Sequence, residues 1–166
     1  MYYGAIKPVD IADGPGVRVS LFVSGCRNHC PGCFQPETWA FDYGDPYTDV
    51  TQKLLLSLLN HSWIQGLTLL GGDPMEPENQ QALLSLVQEV KRQCPTKDIW
   101  LYTGYTWDEV RGSLLLPYID VLVDGKFIES QKDLTLLFRG SSNQRLIDVQ
   151  KSLQRNEVVL WDENAC

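Results

Sequence analysis

Apolar, β-branched runs that stop at glycine recur along this chain, and stretches of helical periodicity separate them. Residues 17–23 (VRVSLFV) halt at Gly25, 67–70 (LTLL) at Gly71 and Gly72, and 99–102 (IWLY) at Gly104. Residues 119–123 (IDVLV) halt at Gly125 and 134–138 (LTLLF) at Gly140, and a last run lies at 158–161 (VVLW). Between these runs, residues 48–60 put Val50, Leu54 and Leu58 on one helical stripe. Residues 79–94 put Leu83, Leu86, Val87, Val90 and Cys94 on another. Pro77 is well placed near the start of that second helix, and Pro95 follows its end. Residues 107–115 predict a shorter helix, while 144–155 read as either strand or helix. Alternation of this kind predicts βαβ units and a largely parallel sheet whose strand C-termini share one rim.

Length then limits the architecture. A complete eight-unit barrel takes about 250 residues, and this chain has 166. At roughly 25–30 residues per unit there is room for about five or six units. The expected fold is α/β: an incomplete (β/α) barrel of about six parallel strands with outer helices, laterally open, in one domain spanning 1–166.

Composition removes several function classes. Hydrophobic residues make up 43% and charged residues 21%, which suits a folded domain. No apolar run approaches the roughly 18 residues needed to span a bilayer. The first residues carry no signal-peptide h-region, so the expectation is a cytoplasmic protein with no membrane association. A net charge of −7 argues against a nucleic-acid partner, since phosphate backbones call for a basic face. No Ser-His-Asp grouping, P-loop or G-x-G-x-x-G fingerprint is present, and His29 and His61 are poor candidates for general-base work.

The chemistry concentrates after the first predicted strand, where Cys26, Cys30 and Cys33 form a C-x3-C-x2-C cluster. An odd total of five cysteines, three of them clustered, is not a disulfide framework. Two metal readings stay open. In one, each cysteine holds one iron of a 4Fe–4S cube, and the fourth iron is free to take a small molecule. In the other, a zinc ion finds a distant fourth ligand in His29, Cys94 or Cys166. His29 sits too close to Cys30 for both to meet one small ion easily, and Cys94 lies on an apolar stripe where packing explains it.

Taken together, these segments resemble the radical S-adenosylmethionine (SAM) enzymes. The cysteine spacing is similar to that superfamily's signature. Residues 13–18 (DGPGVR) resemble the D-G-P-G-x-R segment of glycyl-radical-enzyme activases. Residues 71–74 (GGDP) resemble a G-G-E-P segment, with Asp73 in place of Glu. Residues 98–105, 120–127 and 139–145 (RGSSNQR) follow in order, the last similar to a closing signature of the activators of anaerobic ribonucleoside-triphosphate reductases.

The resemblance implies a reaction. SAM chelates the open iron, one electron cleaves it to methionine and a 5′-deoxyadenosyl radical, and that radical takes a hydrogen atom from a backbone glycine of the partner reductase. It implies Cys26, Cys30 and Cys33 as cluster ligands, and Gly71, Gly72 and Asp73 beside the amino acid end of SAM. Gly32, Cys33 and Phe34 would stand near the adenine. Many relatives carry an aromatic just before the last cysteine, where this chain has Gly32. The implied partners are the reductase large subunit and a flavodoxin-type electron donor, with function confined to anaerobic conditions. Read alone, Gly71-Gly72 and residues 13–16 are tight turns and Asp73 a helix cap. Tyr102, Thr103, Tyr105, Asp124 and Lys126 line up near strand ends, and Arg139 and Arg145 either meet the partner or pair with local acids.

Overall fold

The computed structural model describes residues 1–163, so Cys166 lies outside the described residues. Seven strands form one sheet: β1 (Tyr2–Asp10), β2 (Arg18–Val23), β3 (Asp45–Pro46), β4 (Gly66–Gly71), β5 (Asp98–Tyr102), β6 (Val121–Asp124) and β7 (Arg145–Asp148). Their spatial order is β3-β1-β2-β4-β5-β6-β7. The helices are α1 (Asp49–Leu59), α2 (Pro77–Gln93), α3 (Trp107–Val110) and α4 (Val149–Arg155). Among the described residues no helix is long and apolar enough to cross a membrane.

The α/β class matches the sequence reading, but the expected set of about six parallel strands does not. Parallel pairing joins β2, β4, β5 and β6 alone. Strands β1, β3 and β7 run antiparallel to their neighbours, so the sheet is mixed. The reason lies in the connections. A parallel return needs a crossover of about a dozen residues or more, and only a short turn separates Asp10 from Arg18. Strand β1 carries Gly4 and Pro8 and is mostly exposed or half-buried, so it gave no apolar signal.

Two expected strands are absent as such. Residues 134–138 form an irregular loop, with Leu134 and Leu137 exposed and Phe138 in the left-handed region at φ 53°. Residues 158–161 contribute a bridge from Leu160 to Ile147, fastened by backbone bonds from Asp148 N to Val159 O (2.9 Å) and from Trp161 N to Leu146 O (2.8 Å). The ambiguous stretch 144–155 is both elements in turn. Strand β7 ends at Asp148, whose side chain accepts from Lys151 N (3.0 Å) and starts α4.

Helix α1 is rotated from the expected stripe. It buries Thr51, Leu55 and Leu59, while Val50 and Leu54 face solvent. Its leucines at 54, 55, 56, 58 and 59 offer two apolar stripes, and packing selects between them. Helix α2 buries the expected Leu83, Leu86, Val87 and Val90, with Pro77 in its first turn and Lys91 and Arg92 in its last. Helix α3 stops after about one turn, with Glu109 accepting from Thr106 N (2.7 Å) to close its start.

Side chains alternate across the sheet, which separates two environments. Val19, Leu21, Leu67, Leu69, Ile99, Leu101 and Leu122 point to the helices and join Leu55, Leu83, Val87 and Val149 in the main core. The opposite face carries Trp100, Val121, Val123 and Leu146, packed against Tyr102, Phe138 and Trp161. Arg18 is fully buried on this second face. Its guanidinium donates to Thr68 Oγ1 (2.7 Å), Leu67 O (3.0 Å), Pro15 O (3.2 Å) and Asp98 Oδ1 (2.5 Å). One side chain thereby ties the Asp13–Gly16 turn to two strands.

Candidate functional site

A cavity of about 520 Å3 lies against the second face of the sheet. Phe22, Leu70 and Tyr102 form part of its wall, and Cys26, Cys30 and Cys33 all border it. Parallel register brings Val23, Gly71, Tyr102 and Val123 to one rim, because Val23 pairs with Gly71 and Tyr102 with Val123. The cysteine loop leaves that rim directly after β2.

The loop is held from both sides. Gly25 N donates to Thr38 O (2.7 Å) and Cys26 N to Trp39 O (3.1 Å), which anchors its start on the short 3-10 helix Pro36–Trp39. A turn closes its end, with Cys33 N donating to Cys30 O (3.1 Å). His29 stacks on Trp39 with centroids 4.6 Å apart. Cys26 is buried, whereas Cys30 and Cys33 are half-buried. Burial pushes the Cys26 and Cys30 thiols above their ordinary range.

Gly71 and Gly72 sit where a side chain has no room. At Gly71, with φ 105°, a Cβ would lie 2.7 Å from Val23 O. At Gly72 it would lie 2.6 Å from Gly25 O and 2.9 Å from Thr38 O. Both reach the cavity, so bare backbone borders it beside the cysteines. Asp73 follows, fully buried, and its carboxyl is pushed up to about 6 by burial, against hydrogen bonds from Thr103, Met75 and Gly104 that pull it down.

The remaining sequence candidates divide. Phe34 borders the cavity, is more than half exposed, and tilts against Phe127 at 5.0 Å. Gly32 takes a left-handed φ of 71° in the loop turn. Tyr102, Thr103 and Tyr105 each fasten a loop, donating to Phe138 O (2.8 Å), Asp73 Oδ1 (2.7 Å) and Glu76 Oε1 (3.2 Å). Arg145 pairs twice with the buried Asp124 (3.0 and 2.5 Å), and Arg139 pairs with Glu163 (2.5 Å), so both meet local acids. Lys126 is exposed. Cys94 packs in the main core, as its apolar stripe suggested.

Sequence reasoning missed Asn28, Glu76 and Asn79, which hold the cysteine loop. It also missed the acid pair at the other end of the cavity. Asp13 borders the cavity there, and burial together with the neighbouring Asp10 carboxyl pushes it up to about 7. The D-x-x-D spacing at 10 and 13 was the available signal.

The donor set suits a cluster better than a single ion. Three sulfurs border one cavity, yet among the described residues no three His, Cys, Asp or Glu side chains gather tightly enough to hold one metal ion. A cubane meets its thiolates one iron at a time. Gln35 N donates to Cys33 Sγ (3.4 Å).

Residues 12–147 match the family model described as a 4Fe-4S single cluster domain, which defines the class of protein. The chain is 51% identical over 148 residues to the anaerobic ribonucleoside-triphosphate reductase-activating protein of Vibrio cholerae, covering 87% of this chain and 96% of that one. Identity to the proteins of the same name is 47% in Escherichia coli K12, with the same coverage. It is also 47% in Enterobacteria phage T4, covering 88% of this chain and 93% of that one. This chain belongs to the family of anaerobic ribonucleoside-triphosphate reductase-activating proteins.

Proposed function

We propose that this protein activates an anaerobic ribonucleoside-triphosphate reductase by generating its glycyl radical, through reductive cleavage of SAM at a 4Fe–4S cluster held by Cys26, Cys30 and Cys33. One observation carries the reading: the three cysteines and the bare Gly71–Gly72 backbone border a single cavity. The chain's kinship with the reductase-activating proteins supplies the partner.

When bound, the cluster and SAM supply the electron transfer and the hydrogen-abstracting radical. The chain's own residues supply placement. Gly71, Gly72 and Asp73 wall the cavity where the amino acid end of SAM belongs. Gly32, Cys33 and Phe34 would stand near the adenine; Cys33 and Phe34 border the cavity, and Phe34 is one aromatic surface in it. Helices α1 to α4 pack on one sheet face, and the cavity lies against the other. The reading is a single radical SAM domain, an incomplete barrel open at the side, that admits the glycine loop of the reductase large subunit. A separate electron donor is needed, because the sequence holds no flavin or nicotinamide fingerprint, and the family resemblance implies a flavodoxin-type protein in the same cytoplasm.

The test is anaerobic. Purified protein is assayed for iron and sulfide, then incubated with SAM, reductant and either the reductase or a formate-lyase-type enzyme. The expected result is an electron paramagnetic resonance doublet from a glycyl radical on the reductase, absent when Cys26, Cys30 or Cys33 is replaced by alanine. A colourless protein with stoichiometric zinc, or full activation by any of these variants, refutes the reading.

A further inference from the structure

Two carboxylates on the β4–α2 connection, Asp73 and Glu76, are fully buried beside the cysteine loop. Asp73 has no spare capacity, and Glu76 accepts three hydrogen bonds. Asp73 Oδ1 accepts from Met75 N (2.9 Å) and Thr103 Oγ1 (2.7 Å). Its Oδ2 accepts from Asn28 Nδ2 (3.0 Å) and Gly104 N (2.9 Å). An ionised carboxylate offers about four lone-pair sites, so an ammonium group arriving at Asp73 would have to displace an existing donor. Glu76 Oε1 accepts from Arg27 N (2.8 Å) and the Tyr105 hydroxyl (3.2 Å), and its Oε2 accepts from the Arg27 guanidinium.

The backbone repeats the pattern. Asp73 N donates to Gly25 O (2.8 Å), and Asn79 Nδ2 bridges Ser24 O and Asp73 O, each at 3.0 Å. Residues 25, 27 and 28 are thus tied to one connection and Ser24 to the first turn of α2, and Cys26 is the residue they enclose. The same connection is tied to the end of β5 through Thr103 and Gly104.

We propose that Asp73 and Glu76 are positioning residues: together they clamp the Cys26 end of the cysteine loop in its cluster-accepting shape, and Asp73 serves SAM through that loop rather than by a bond to it. The inference rests on the cluster reading above. It differs from a direct contact in what fails first. A contact residue loses SAM from an intact cluster, whereas a clamp loses the cluster and leaves SAM binding normal wherever a cluster survives.

The experiment uses the full chain with Asp73→Asn, Glu76→Gln and Asn28→Ala, each prepared anaerobically. Asn28→Ala removes one donor and leaves both carboxylates in place, which guards against a wholesale folding failure. Iron loss to a chelator is timed, and SAM affinity is read from the change it causes in the cluster's paramagnetic resonance. Amide exchange of residues 24–29 is measured on cluster-free protein. Outer-shell changes at metal sites typically cost about 10–100-fold in affinity, so iron loss is expected to quicken by about tenfold or more in Asp73→Asn and Glu76→Gln, with a smaller change in Asn28→Ala. Exchange at 24–29 is expected to rise in all three variants, while SAM affinity of the loaded fraction stays within about threefold. Normal iron retention and unchanged exchange, with SAM affinity lost in Asp73→Asn, overturns the proposal. So does unchanged behaviour in all variants. The exchange measurement needs no cluster, so a parent protein that fails to load iron refutes the cluster reading separately, and the clamp is still judged.

Discussion

Replacing Arg18 with methionine keeps much of the side-chain length and removes every donor. The guanidinium is fully buried, while its ion-pair partner Asp98 keeps 24% of its side chain exposed. Losing one member of a buried pair costs about 3–5 kcal/mol, because the other is left uncompensated. Here water reaches Asp98, and Gln65 Nε2 still donates to its Oδ2 (2.9 Å), which pulls the cost down. Leu67 O, a strand carbonyl, loses its guanidinium partner, which pulls the cost back up. The balance is a loss of about 3 kcal/mol, a large share of the roughly 5–15 kcal/mol that stabilises a typical domain. At roughly 2–4 °C per kcal/mol for a chain of this size, the thermal midpoint falls by about 6–12 °C. Urea unfolding of anaerobic, cluster-free protein measures the stability loss, with Asp98→Asn and Arg18→Met/Asp98→Asn completing the cycle. The double variant recovers part of the loss, since the orphaned charge is gone. A loss under about 1 kcal/mol, or a double variant as unstable as the sum of the singles, refutes the argument.

Asp13→Asn tests the acid pair through pH. The Asp13 carboxyl lies at about 7 in the folded chain against an ordinary 3.8, so the folded state holds the extra proton between those values. Stability therefore falls as pH rises from about 4 to about 7, and the asparagine variant is flatter by about 1–2 kcal/mol after allowance for solvent access. Equal slopes in urea midpoints between pH 4.5 and 8 would contradict this. Cluster loading runs the other way. Burial holds the Cys26 and Cys30 thiols protonated, and iron must displace those protons, so iron affinity rises with pH through the neutral range. A flat iron titration from pH 6.5 to 8.5 counts against buried cysteine ligands. Gly72→Ala meets two carbonyl oxygens within 2.9 Å and is expected to lower stability by about 1–3 kcal/mol. Gly112→Ala meets nothing within 4 Å and is expected to be neutral in the same thermal scan.

The sequence made the parallel centre of the sheet legible because its strands are buried on both faces, and continuous apolar runs that stop at glycine record that burial. The antiparallel flanks left no such record. Strand β1 is half-wet, and residues 134–138 have a strand-like run whose Leu134 and Leu137 are exposed while Leu136 borders the cavity, because the loop's own anchors, Tyr102 and Gln144, hold it out of the sheet. At the site, cysteine spacing and the glycine pair were visible because each demands a residue type at a fixed interval. The fastening of the loop by Asn28, Glu76 and Asn79 was not. Polar residues at a helix start or turn look the same in sequence whether they meet water or a buried partner.

The short segment after α4 acts as a hem. Strand β7 forms the last ladder of the sheet, and the bonds from Asp148 to Val159 and from Trp161 to Leu146 cover its outer edge. A version trimmed before Val158 would present that margin bare, a template on which a second copy can zip. Self-association in shortened preparations would then report the missing stitches, and tags or fusions at this end are best placed beyond Trp161.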